Sequence, residues 1–156
     1  MVDRVVAAVL TVSDGVSDGT RADESGDVAE GILREAGFEV GSRALVPDDR
    51  RRIEAILREL AGTHALVVTT GGTGFGPRDL TPEGTKTVID REAPGLAEAM
   101  RLVSPLGRLS RAIAGSRDQA LVVNTPGSSA GAVETLAAIL DVIPHALDLL
   151  AGGHPH

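Results

Sequence analysis

Residues 64–84 read HALVVTTGGTGFGPRDLTPEG. The run from Ala65 to Thr70 is apolar and β-branched without polar alternation, which predicts a strand covered on both faces. Thr81 followed by Pro82 supplies an N-cap and first-turn pair for a helix. Between strand and helix lie Gly71, Gly72, Gly74 and Gly76. A buried strand that feeds a helix through a glycine loop is a building unit of parallel α/β sheets.

The flanking segments repeat that alternation. RVVAAVLTVS, residues 4–13, is a second uninterrupted apolar run and predicts a central strand. In ESGDVAEGILREAG, residues 24–37, Val28, Ala29, Ile32, Leu33 and Ala36 fall at helical intervals, and Gly37 closes the helix. FEVGSRALV, residues 38–46, reads as a strand ended by Pro47. Asp48 or Asp49 then caps a helix with Ile53, Ile56, Leu57 and Leu60 on one face, which Gly62 stops. QALVVN, residues 119–124, is the next strand. After the loop TPGSSAG, residues 125–131, the helix AVETLAAILDVIPHALDLLAG runs on to residue 152, broken or kinked at Pro144. Strands separated by helices imply crossover connections. The expected fold is α/β: a three-layer sandwich with a mostly parallel sheet and helices on both faces, in a single domain over residues 1–156.

Composition narrows the function. A chain of 156 residues suffices for one core burying about 68–70% of its unfolded surface. The absence of cysteine excludes disulfides and thiolate metal sites. MVDRVVAAVLTVSDG has charges at Asp3 and Arg4 and too short an apolar run for a signal peptide, and no stretch reaches membrane-span length, so a cytoplasmic protein with no membrane partner is expected. A net charge of -7 argues against nucleic-acid binding. Phe38 and Phe75, the only aromatic residues, cannot build a base-stacking platform. Lys86 is the only lysine, and the P-loop signature is absent.

In open parallel sheets, ligands bind beyond the carboxyl ends of the strands. The loops expected there contain SDG (13–15), VPDD (46–49), TTGGTGFGPRD (69–79) and NTPGSS (124–129). Gly71, Gly72, Gly74 and Gly76 serve either a tight turn or a close backbone approach to a phosphate, for which Thr69, Thr70 and Thr73 could add hydroxyl donors. Asp79 either pairs with Arg78 or shares a Mg²⁺ with the phosphate, with Asp48 as second carboxylate; Mg²⁺ commonly binds through one or two carboxylates plus phosphates. Asp48 and Asp49 are equally candidates for plain helix capping. Ser110 and Arg111 read either as an N-cap and a solvated arginine or as a grip on a terminal phosphate. Pro126 and Gly127 mark a turn, or a place where a planar ligand meets backbone. His64, His145, His154 and His156 are not spaced as a metal site.

LTVSDG, DESG, VPDD, TTGGTGFGPRDLTPEGT, PGLAEAMR, LSRAIAG and VVNTPGS occur in the order found in the molybdopterin adenylyltransferases, the Mog/MoaB-type proteins of molybdenum cofactor biosynthesis. The resemblance spans roughly residues 5–152. The short length and the ending IPHALDLLAG look like the stand-alone bacterial form. A molybdopterin-binding fold is implied, with transfer of AMP from ATP to the terminal phosphate of molybdopterin, Mg²⁺ as cofactor and pyrophosphate as product. The resemblance assigns Asp48 and Asp79 to metal and catalysis, and Gly71, Gly72, Thr73 and Gly74 to phosphate binding. It gives Ser13, Asp14, Arg78, Thr81, Pro82, Glu83, Ser110, Arg111, Pro126, Gly127 and Ser128 to the substrates. A homotrimer, in some members a hexamer, is also implied. The alternative is a molybdopterin carrier or scaffold without turnover. Two departures from the family pattern stand out: residues 100–110 are a few residues shorter than in many relatives, and Thr125 replaces the usual Leu, with no second Pro soon after PGS.

Overall fold

The computed structural model describes residues 5–153. His154 and His156 therefore lie outside the described residues. In chain order the elements are β1 (Val6–Val12), α1 (Asp14–Ser17), α2 (Glu24–Glu35), β2 (Glu39–Val46), α3 (Arg50–Thr63) and β3 (Leu66–Thr70). There follow α4 (Thr81–Val88), β4 (Arg91–Glu92), α5 (Pro94–Arg101), a 3-10 turn (Pro105–Leu109), β5 (Ala114–Arg117), β6 (Ala120–Thr125), α6 (Ser129–Ala137) and α7 (Ile143–Leu150).

The six strands form one sheet in the order β2-β1-β3-β6-β5-β4. β2, β1, β3 and β6 run parallel, and β5 and β4 add an antiparallel edge. Uninterrupted apolar runs mark the central strands because each strand feeds two cores. Ala7 and Val9 of β1 join Leu33 of α2 and Leu136 of α6 on one face. Ala8, Leu10 and Val12 join Ile53 and Leu57 of α3 on the other. The chain leaves β1 through α2 to reach β2, then crosses back through α3 to β3. Those crossovers travel in opposite directions along the sheet, so right-handed connections put α2 and α3 on opposite faces. The reversal leaves a crevice between the ends of β1 and β3. No helix among the described residues is long and apolar enough to cross a membrane.

Several boundaries differ from expectation. Gly62 lies inside α3, whose last turn closes with the His64 N–H on the Leu60 carbonyl at 2.9 Å. Thr81 is the first residue of α4 and not its cap, because its hydroxyl is drawn away to the Gly71 carbonyl at 2.9 Å. The C-terminal helix begins earlier than expected, at Ser129, with Ser128 accepting the Gly131 N–H at 3.0 Å. It is also two helices, since residues 138–142 are turn and Pro144 sits in the first turn of α7, where its missing N–H costs nothing. The β4–β5 pair and α5 are additions to the expected set; strands of two and four residues are too short to carry a periodic signal.

Candidate active site

The four parallel strands all deliver their C-terminal loops to one edge of the sheet. A cleft of about 770 Å³ opens there. Ser13, Asp48, Gly71, Gly72, Thr73, Gly74, Asp79, Gly127 and Ser128 line it, so the structure gathers these nine expected residues from four separate loops.

The glycine loop owes its path to two left-handed residues, Gly71 (φ 93°) and Gly72 (φ 69°). A Cβ on Gly71 would run into the Val12 carbonyl, and one on Gly72 into the Thr81 hydroxyl. The loop thus lies flush against the end of β1 and the start of α4. Asp79 closes it, one carboxylate oxygen accepting the Gly76 N–H at 2.8 Å. Arg111 clamps it from behind: Nε donates to the Gly74 carbonyl and Nη2 to the Asp79 carbonyl, each at 2.7 Å. The same guanidinium pairs with Glu83 through Nη1 at 2.5 Å and Nη2 at 3.2 Å. Hydrogen bonding from Arg111 lowers the Glu83 carboxyl below its ordinary range.

Asp49, not Asp48, caps α3, its side chain accepting the Arg52 N–H at 3.0 Å. Asp48 is thereby released to the cleft. It exchanges bonds with Asp14: the Asp14 N–H donates to one Asp48 carboxylate oxygen and the Asp48 N–H to an Asp14 carboxylate oxygen, both at 3.0 Å. Arg78 spans the pair, donating to Asp14 at 2.6 and 3.1 Å and to the Asp48 carbonyl at 3.1 Å. The two carboxyls move in opposite directions. The Arg78 side chain, then the Asp48 N–H, hold Asp14 below the usual range. Burial raises Asp48, the charges of Asp14 and Asp79 raise it further, and the Asp14 N–H and Arg78 oppose them.

Other expected residues stand apart from the cleft. The Arg111 guanidinium makes four donor contacts to protein acceptors. Thr81 and Pro82 are buried, Glu83 belongs to Arg111, and Arg78 belongs to Asp14. Ser110 and Pro126 line a second groove of about 440 Å³, with Met100, Leu106 and Leu109; Thr73 and Ser128 line both. Thr69 is enclosed in the sheet, its hydroxyl accepting from Asn124 Nδ2 at 3.0 Å. Thr70 does line the cleft, but its hydroxyl accepts from Ser25 at 3.1 Å. Thr73 is the one of the three threonines that lines the cleft with its hydroxyl outside these side-chain pairings. Thr125 is also fully buried, donating to the Thr69 carbonyl at 2.8 Å, so that departure from the family pattern falls inside the sheet.

The sequence reading missed Thr11, Arg21, Glu24 and Ser25 as cleft residues. Their signal was the Asp23 cap. Asp23 accepts the Gly26 N–H at 3.1 Å, the Thr11 hydroxyl at 2.8 Å and Arg43 Nη2 at 2.6 Å, which ties the start of α2 to β1 and β2.

The family model described as a probable molybdopterin binding domain matches residues 8–145. The chain belongs to this molybdopterin-binding family. It is 38% identical over 154 residues to a molybdopterin adenylyltransferase of Helicobacter pylori, covering 94% of this chain and 88% of that protein. It is 36% identical over 160 residues to gephyrin of Dictyostelium discoideum, covering 93% of this chain; the chain spans only 22% of that longer relative. Among solved structures, the molybdopterin biosynthesis enzyme MoaB of Thermus thermophilus superimposes with a TM-score of 0.91 at 45% identity, over 95% of this chain and 97% of that one. The α/β architecture is that of the family.

The cleft suits a metal that prefers oxygen. Asp48 and Asp79 each keep one carboxylate oxygen without a hydrogen-bond donor among the described residues. No group of three or more His, Cys, Asp or Glu that could hold a metal occurs among those residues. Two carboxylates without nitrogen or sulfur fit Mg²⁺, which takes its remaining ligands from phosphates and water.

Proposed function

We propose that this chain is a molybdopterin adenylyltransferase of molybdenum cofactor biosynthesis. A phosphate oxygen of molybdopterin attacks the α-phosphorus of ATP, the bond between α-phosphorus and the bridging oxygen breaks, and pyrophosphate leaves with that oxygen. The observation that carries the reading is the pairing of two carboxylates, each with an oxygen to spare, beside a glycine loop in a cleft at four strand ends.

Within this reading, Asp48 and Asp79 would hold Mg²⁺, which would neutralise phosphate charge and favour in-line displacement. Gly71, Gly72, Thr73 and Gly74 admit phosphate oxygens to the loop backbone. Ser128 and Ser129 bring the positive end of α6 to the same cleft. The second groove, joined to the first at Thr73 and Ser128, offers the adjoining space for a planar substrate against Pro126. Asp14, Arg78, Thr81, Pro82, Glu83 and Arg111 act as positioning residues, fixing Asp48 or the loop. No protein nucleophile is needed, so catalysis rests on alignment and charge. The reaction takes place in the cytoplasm, in a homotrimer. Leu102, Leu106 and Leu109 are 85%, 73% and 56% exposed within one short segment, and self-association would cover them.

The test is incubation with ATP, Mg²⁺ and molybdopterin, with mass spectrometry of adenylylated molybdopterin and pyrophosphate. Wild type should form both; Asp48→Asn and Asp79→Asn should form neither while remaining folded. Molybdopterin binding without product in wild type would replace the enzyme with a carrier.

A further inference from the structure

The arginines around the cleft are not equivalent. Arg78 is committed to Asp14 and the Asp48 carbonyl, and Arg111 to Glu83 and two loop carbonyls. Arg21 is different. Among the described residues lining the cleft, Glu24, Asp48 and Asp79 are acidic and only Arg21 is basic. Its guanidinium forms no ion pair or side-chain hydrogen bond among the described residues.

Arg21 is nevertheless well anchored. Its N–H donates to the Gly15 carbonyl at 3.0 Å, as the Thr20 N–H does at 2.9 Å. A Cβ on Gly15 would stand 2.7 Å from Arg21 Cδ, so the arginine stem lies directly on the α1 backbone. α1 is in turn fastened to Asp48 through Asp14. A cation whose stem rests on α1 and whose donors are open, at a cleft whose other charged lining residues are three carboxylates, matches the needs of an anionic ligand. Guanidinium presents a planar fork suited to phosphate oxygens, which lysine cannot reproduce as a point charge.

We infer that Arg21 binds a phosphate group of one of the two substrates, acting as the cleft's own cation beside the metal. This rests on the adenylyl-transfer reading, in which both substrates carry phosphate, and adds to it a substrate contact outside the glycine loop. The residue lies in the loop between α1 and α2.

The experiment is calorimetric titration of wild type, Arg21→Ala, Arg21→Gln and Arg21→Lys with MgATP and, separately, with molybdopterin. Arg21→Ala should weaken one of the two about tenfold, and the affected ligand identifies whose phosphate is held. Arg21→Gln keeps much of the stem on Gly15 and should bind as weakly as Ala, whereas Arg21→Lys, which keeps the charge but not the planar fork, should recover only part of the affinity. The gap between wild type and Ala should narrow as salt is raised. Equal affinities of wild type and Arg21→Ala for both ligands would overturn the inference and leave adenylyl transfer standing, as would full rescue by Gln. Wild type that binds neither ligand would overturn both.

Discussion

Arg111→Ala removes a clamp made of four donor contacts, and the cost can be worked from the geometry. The bonds to the Gly74 and Asp79 carbonyls are both 2.7 Å and half-buried. A net value of about 1 kcal/mol each is appropriate at that exposure. The ion pair with Glu83, whose side chains are 30% and 35% exposed, adds about 1 kcal/mol after solvent screening. The sum is about 3 kcal/mol. For a chain of this length that corresponds to a fall in Tm of about 6–12 °C. With a urea m value of about 2 kcal/mol/M, it lowers the unfolding midpoint by about 1.5 M. Urea titration followed by circular dichroism measures it, and ATP affinity should fall with the loosened loop. Arg111→Lys should recover only part of the loss, because one ammonium cannot span Glu83 and two carbonyls. A midpoint within about 0.2 M of wild type, with molybdopterin affinity alone reduced, would refute the clamp and restore Arg111 as a phosphate contact.

Two other perturbations test the loop and the carboxylates. Gly71→Ala imposes a left-handed alanine and a collision with the Val12 carbonyl, whereas Gly19→Ala imposes only the backbone strain, since nothing lies near its Cβ. Urea titration should give about 1 kcal/mol for Gly19→Ala and about 3 kcal/mol or more for Gly71→Ala; equal losses would mean that the loop is not pressed against β1. Asp48→Asn should become more favourable to stability, relative to wild type, as pH rises. Because the native carboxyl is raised, chiefly by burial, its ionisation costs nothing below the unfolded value of about 3.9. The cost grows above that value and levels off above the native one. Unfolding of both proteins at pH 3 and pH 7 without divalent cations measures this, and an unchanged difference between the two pH values would contradict a raised Asp48.

The central strands and the helix faces were legible because they are local. An apolar run such as Ala65 to Thr70 reports burial on both sides, and Ile53, Leu57 and Leu60 report one helix face, wherever the segments later sit. The glycine loop was legible for a similar reason: close backbone approach needs residues without Cβ, so the need is written into residue type. The two carboxylates were legible through the family pattern, and Asp49's capping of α3 could be separated from Asp48 only once the backbone was placed.

Sequence by itself determined that strands and helices alternate and that the loops after β1, β2, β3 and β6 meet at one edge of the sheet; it also singled out Asp48 and Asp79, which line the cleft there. Tertiary structure decided how the remaining polar residues are spent. Thr69 reads as a hydroxyl donor for a ligand, yet Asn124 and Thr125 engage its hydroxyl and carbonyl inside the sheet. Arg111 looks like a hand for phosphate, yet Glu83 and two carbonyls occupy it, while Arg21 in the loop before α2 keeps its donors open. The physical reason is that a hydrogen-bonding group is defined by its partner, and partners such as Arg111 and Gly74, or Thr125 and Thr69, are 37 and 56 residues apart in the chain. Hydrophobic periodicity carries no information about such pairs; only the folded backbone brings them within reach.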